Sequence, residues 1–317
     1  MKTDSKLYTY SLIGLSILAV GGIAAFFVFR KKSDGGDRNT NNDNNETNPL
    51  FKMSKTLVCS HICNLDASGS SPAQNNLRNI GLNLNNNIDI IEMDIQITKD
   101  NVPVLFHDNT LDARTNGSGT IQSKTWAEIS QLRYDNDSSA GIAKLADAIA
   151  LLKQSGKPTI FQLDKCDNSE IAKINSLGLF KGVENQMLAK STSFTIPSAV
   201  KAAGIMYMPI IPSMYVGKMN SMQVIDEIVE KCKGSQFLEA QFSDADTLFI
   251  DGTLAKKLDA VGCKLLVVAV GGSSTTNGKS FRGDSKTQWS KMVAPMGAGA
   301  IMTNHPIALK NYLAQIQ

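Results

Sequence analysis

The apolar positions divide the chain into stretches of different kind. Positions 7–29 are almost uniformly apolar and uncharged, 23 residues in all, and a helix of that length crosses a hydrocarbon core of about 30 Å. No polar face interrupts the run, which argues against a buried core helix. Positions 33–48 carry no apolar side chain; they cannot bury enough surface to offset the entropy of ordering and read as a flexible tether. From Thr56 on, short β-branched runs alternate with segments of helical period, the pattern of a β/α fold. The predicted division is a tail (1–6), a transmembrane helix (7–29), an Asn-rich linker (30–50) and one β/α domain (51–317).

Strands are predicted over 56–60, 88–95, 102–106, 159–164, 186–190, 205–211, 236–242, 264–270 and 300–303. That is one more than an eight-stranded barrel requires. The runs ending at Ile95 and beginning at Val102 are joined by Lys99-Asp100-Asn101, too short for a parallel crossover, so the second run must return antiparallel. Eight parallel strands remain, and helical periodicity over 142–153, 222–231 and 307–314 fills gaps between them. The expectation is a TIM (β/α)8 barrel, whose usual size of about 250 residues the domain matches, preceded by a single membrane span.

Composition narrows the function. A net charge of +3 with scattered basic residues gives no electrostatic footprint for nucleic acid. Five cysteines, Cys59, Cys63, Cys166, Cys232 and Cys263, are an odd number in a domain too large to need disulfide staples, which points to a reducing compartment. Cys59, His61 and Cys63 alternate along one run, yet the carboxylates nearby are hard oxygen donors and no CxxC pair accompanies the trio, so zinc is set aside. No small-x-small cleavage site precedes Arg30-Lys31-Lys32, which favours an uncleaved anchor over a signal peptide. Arg30, Lys31, Lys32 and Arg38 after the span outweigh Lys2 and Lys6 before it, tilting the orientation towards a cytosolic catalytic domain. The triplets beginning at Asn45, Asn116 and Asn136 have the form of glycosylation sites, relevant only on the other side.

Glu92 and Asp94 stand two apart in an otherwise apolar run, so both carboxylates share one strand face. Two adjacent buried carboxylates repel, and one would take up a proton unless a hard divalent ion such as Mg²⁺ or Ca²⁺ held both. A turn centred between Asp100 and Asn101 places Asp94 opposite His107, and an imidazole beside such a pair is suited to proton transfer near neutrality. Gly272 to Ser280 has the outline of a phosphate-binding loop after a strand, but holds five residues between its glycines where four are required. It is expected instead to cross the barrel mouth, where Arg282 and Trp289 would meet substrate.

The run from Ile91 to Asp108, with its acidic pair, its Thr98-Lys99-Asp100 turn and its His107-Asp108, resembles the signature of the glycerophosphodiester phosphodiesterases. Leu111 to Gly119 continues the likeness, and Gly299 to Pro306 resembles the family's closing strand. The resemblance implies a metal-dependent phosphodiesterase on a TIM barrel, acting on a glycerophosphodiester or lysophospholipid. By the same likeness His61 and His107 are the catalytic histidines, while Glu92, Asp94 and Asp164 hold the divalent ion. The chain departs from the family at Ile62-Cys63, where arginine and glycine are usual, and at Pro72-Ala73-Gln74-Asn75, where Pro-Glu-Asn is usual. Isoleucine cannot replace an arginine that grips phosphate, so Lys190 and Arg282 are the expected substitutes. Glu239, at another strand end, is a further candidate, and Gln162 shares the face of Asp164; Lys165 would point outward from a regular strand. Phospholipase-like lipid cleavage and a catalytically silent phospholipid-binding barrel are the alternatives.

Overall fold

A computed structural model describes residues 47–65, 74–270 and 283–317. The expected span, most of the linker and Arg282 lie outside these residues; among the described residues no helix is long and apolar enough to cross a membrane.

Among the described residues ten strands form one sheet: β1 (Leu57–Ser60), β2 (Ile90–Ile97), β3 (Pro103–Leu105), β4 (Ala143–Lys144), β5 (Ile160–Asp164), β6 (Met187–Ser191), β7 (Met206–Pro209), β8 (Phe237–Ala240), β9 (Lys264–Val268) and β10 (Ala300–Thr303). Eight of them run parallel in the order β7-β6-β5-β2-β1-β10-β9-β8. The outer edges meet as well: Gln236 N donates to Tyr207 O at 3.0 Å and Ile211 N to Glu239 O at 2.9 Å. The result is a nearly closed, TIM-like barrel. Helices α1 (Leu77–Asn85), α2 (Trp126–Ile129), α3 (Leu145–Ser155), α4 (Asn168–Ser176), α5 (Ser198–Ala203), α6 (Met222–Lys231), α7 (Thr247–Ile250), α8 (Thr253–Asp259), α9 (Lys286–Val293) and α10 (Pro306–Ile316) supply the connections.

The parallel strands read as nearly continuous apolar runs because both faces are covered. Every residue of β2 is buried. One face looks into the barrel, where Leu57, Cys59, Ile90, Ile160, Leu188 and Phe237 make an apolar layer; the other packs on the helices. Local chemistry sets the helix ends. Asp167 and Glu170 form a capping box at the start of α4, and α3 stops at Gly156, whose φ of 61° suits glycine.

Three details differ from the sequence reading. The β2–β3 pair is a hairpin as expected, but Ile95 faces Leu105 and Gln96 faces Val104, one residue off the expected register. The cause is a three-residue connection with Asn101 left-handed at φ 65°, so the turn centres on Asp100. Position 106 therefore faces Asp94, and Phe106 N donates to Asp94 O at 3.0 Å. Secondly, the start of the segment predicted as helix over 142–153 pairs instead with β3 as the short strand β4. Thirdly, Asn48 and Leu50 belong to the barrel. The Asn48 side chain donates to Pro158 O and Asn185 O at 2.8 and 3.0 Å, and Leu50 and Phe51 plug the end at which the strands begin, Phe51 lying 5.1 Å from the Phe237 ring. We call this end the foot and the opposite end the mouth.

Candidate active site

At the mouth the barrel interior changes from apolar to charged. Glu92 and Asp94 on β2 pair in register with Gln162 and Asp164 on β5, so alternation along two neighbouring strands sends four polar side chains inward. Glu92, Asp94 and Asp164 each offer an oxygen within 4.8 Å of the others. Lys190 on β6 is buried between Asp164 (2.8 Å) and Glu239 on β8 (3.1 Å).

Lys165 does not point outward as a regular strand would require. Its φ of 54° breaks β5, its N–H turns back to Asp164 Oδ1 at 2.6 Å, and its ammonium lies 3.6 Å from Asp94 Oδ1 and donates to the His107 carbonyl. A left-handed residue straight after a strand has little signal in sequence, so its role escaped the alternation rule.

Among the described residues the charges at the mouth do not balance. Glu92, Asp94, Asp164 and Glu239 face Lys165 and Lys190, four potential anions against two cations. Burial, reinforced by the charge of Asp94, pushes the Glu92 carboxyl well above its ordinary range. Burial would raise Asp164 too, but the Lys190 ammonium outweighs it and holds that carboxyl low. Burial opposes the charge on Lys190 itself, and Glu239, Asp164 and Glu92 more than offset it, so its pKa rises. A divalent cation among Glu92, Asp94 and Asp164 would cancel the excess of two negative charges, and three hard oxygen donors match Mg²⁺ or Ca²⁺. The donor set therefore fits such an ion.

Gln162 is fully buried, and its Nε2 has no partner among the described residues. The backbone helps to shape the site. Ile62 N donates to Glu92 Oε2 at 2.6 Å, from a residue at φ 46°, and Cys63 follows at φ 56°. Left-handed backbone is costly for a β-branched side chain, so Ile62 places strain beside the carboxylate cluster. Asn75 grips Asp94 twice, donating to Oδ2 at 2.9 Å and accepting from its N–H at 3.2 Å.

His61 follows β1 and has its Nδ1 2.9 Å from Asn304 Oδ1, at the end of β10. Asn304 is held in turn: its N–H donates to Asp284 Oδ2 at 2.7 Å, while Trp289 Nε1 donates to Asp284 Oδ1 at 2.9 Å. Because Asn304 Oδ1 can only accept, His61 carries its proton on Nδ1 and turns an unprotonated Nε2 elsewhere. Burial pushes the His61 imidazole below its ordinary value, against the Asn304 bond and the charge of Asp94. Trp289 does not face the mouth as expected; it is buried against Tyr312, at 6.1 Å.

His107 lies just beyond the hairpin, half-exposed, with Nδ1 3.1 Å from Asp108 Oδ1. Burial would raise the Asp108 carboxyl, but hydrogen bonds from His107 and Arg114 outweigh it and hold it ionised. The two rings thus have different partners, a neutral amide behind His61 and a carboxylate behind His107.

Fold and site together define a TIM-type barrel with a carboxylate–histidine centre at the ends of its strands, where such barrels build their active sites. Residues 68–193 match the glycerophosphoryl diester phosphodiesterase family. The Bacillus subtilis protein YhdW is 39% identical over 71 residues, 22% of this chain and 29% of that one. Glycerophosphodiester phosphodiesterase 1 of Rattus norvegicus is 48% identical over 42 residues, 13% of each. A phosphodiesterase of Oleispira antarctica, solved with the product sn-glycerol-3-phosphate, superposes with a TM-score of 0.58 at 18% identity, over 83% of this chain and 99% of that one. The chain is thus similar to the glycerophosphoryl diester phosphodiesterase family over residues 68–193, less than half of its length. Its sequence matches span less than a third of either curated relative.

Proposed function

We propose that the protein hydrolyses a glycerophosphodiester to glycerol 3-phosphate and an alcohol, with a divalent ion held by Glu92, Asp94 and Asp164. The observation that carries this reading is the meeting of those three carboxylates with two histidines whose Nδ1 partners differ. When bound, the ion supplies Lewis-acid polarisation of a phosphoryl oxygen.

The protein's own groups do the rest. His61, neutral and with Nε2 free of its proton, serves as general base toward water or a neighbouring substrate hydroxyl. His107, backed by the Asp108 carboxylate that steadies a charged ring, gives a proton to the leaving alkoxide. With Ile62 in the family's arginine position, Lys165 is the cation we assign to phosphate, since Lys190 already serves two carboxylates. Lys190 then holds Asp164 in place instead of binding substrate. The 7–29 span would tether this chemistry to a membrane, with the catalytic domain on the cytosolic side.

Turnover of a panel of glycerophosphodiesters and lysophospholipids, with chelator and with Mg²⁺ or Ca²⁺ restored, tests the reading. Metal-dependent release of glycerol 3-phosphate supports it. Release only from lysophospholipids moves the assignment to a lipid phosphodiesterase, and no turnover with either ion rejects catalysis.

A further inference from the structure

We propose that the foot of the barrel is a docking surface for an anionic bilayer. The inference rests on the reading of 7–29 as a membrane span.

Charge is uneven at the foot. Lys55 is paired with Asp89 at 2.8 Å, but Lys153 donates to the Lys181 carbonyl at 2.8 Å, and Lys157 and Lys310 donate to the carbonyls of Leu84 and Asn86 around the end of α1. A carbonyl accepts the hydrogen bond without cancelling the charge. Lys52 is exposed at the end of the plug. Among the described residues the other side-chain carboxylates at this end are Glu230, paired with Lys233, and Glu184 and Asp259. Lysines therefore outnumber the acids available to neutralise them.

Two apolar side chains stand out at the same end. Met53 is 42% and Ile316 48% exposed. Their segments meet: the Thr56 N–H, three residues after Met53, donates at 3.2 Å to the side chain of Gln317, the residue after Ile316. A basic surface carrying isolated exposed apolar groups suits an interface of anionic headgroups over acyl chains.

Chain connectivity selects the bilayer as occupant. The chain enters the barrel at the foot through Asn48, and residues 30–47, eighteen in all, separate it from the apolar run. Fully extended, they reach no further than roughly 65 Å, and they begin with Arg30-Lys31-Lys32, which favours the anionic cytoplasmic leaflet. Docking by the foot turns the mouth towards water. The site would then select water-soluble glycerophosphodiesters over lipids resident in the bilayer.

Full-length protein in nanodiscs of phosphatidylcholine alone, or with about 30% phosphatidylserine, provides the test by hydrogen exchange. Peptides 49–56 and 310–317 should exchange at least about twofold more slowly in the anionic discs, with mouth peptide 210–221 unchanged. Lys52→Glu with Lys153→Glu should abolish the difference while leaving turnover of a soluble glycerophosphodiester intact. Protein that enters the discs yet exchanges equally in both overturns docking while the span reading stands. Protein that does not enter the discs overturns the span reading, and docking with it.

Discussion

In the proposed reaction Asn304 would act only through the His61 ring it holds. Replacing it with alanine should lower kcat by about 10- to 100-fold, the usual effect of removing a partner that orients a functional histidine, while KM stays near the wild-type value. The pH profile separates positioning from simple damage. His61 sits below its ordinary value of 6.5 through burial, so the acid limb of kcat/KM should fall below that pH; because the Asn304 bond raises the His61 pKa, Asn304→Ala should move the limb lower still. A limb unmoved by the substitution would remove His61 from the role of base. Ile62 offers a second test. Ile62→Arg should raise kcat/KM by roughly tenfold, the worth of one added charge-assisted hydrogen bond, measured by steady-state kinetics on a soluble diester. Loss of activity without unfolding would mean that the pocket accepts an apolar group there. The placement of Glu92, Asp94 and His107 at one strand end was legible from chemistry and spacing, and that of His61 and Asp164 through the family resemblance alone. Lys165 and Asn304 were not, since one depends on a left-handed kink and the other on a contact 243 positions away in sequence.

At the scale of elements, the eight parallel strands follow from apolar runs separated by helical period, and their ends fall within a few residues of expectation. The hairpin register did not, because one left-handed asparagine shifts the pairing by a residue without altering the polarity pattern. The plug was also hidden: Pro49–Lys52 is a single 3-10 turn following a polar stretch, and only Leu50 and Phe51 betray it. Its weight is measurable. Leu50→Ala should cost about 2–4 kcal/mol, as expected for emptying a buried leucine site, and lower the melting temperature by several degrees without changing KM. A chain beginning at Thr47 should be soluble without detergent and melt near the full-length value, whereas one beginning at Ser54 should melt markedly lower. Equal melting of the two would show that the foot needs no plug.

For the whole molecule, the barrel brings one charged layer to the mouth and leaves an apolar layer beneath it, so the uncompensated carboxylates lie where substrate can arrive. This layer is the proposed seat of a divalent ion used in phosphodiester hydrolysis. Asp94→Asn tests it most directly, since the substitution removes a ligand charge and almost no volume. Calorimetric titration of Mg²⁺ and Ca²⁺, alongside release of glycerol 3-phosphate, should show metal affinity reduced and turnover down by orders of magnitude, as when an interaction worth several kcal/mol in the transition state is lost, with the melting profile of the metal-free protein preserved. Wild-type metal affinity and wild-type turnover in Asp94→Asn would contradict the account.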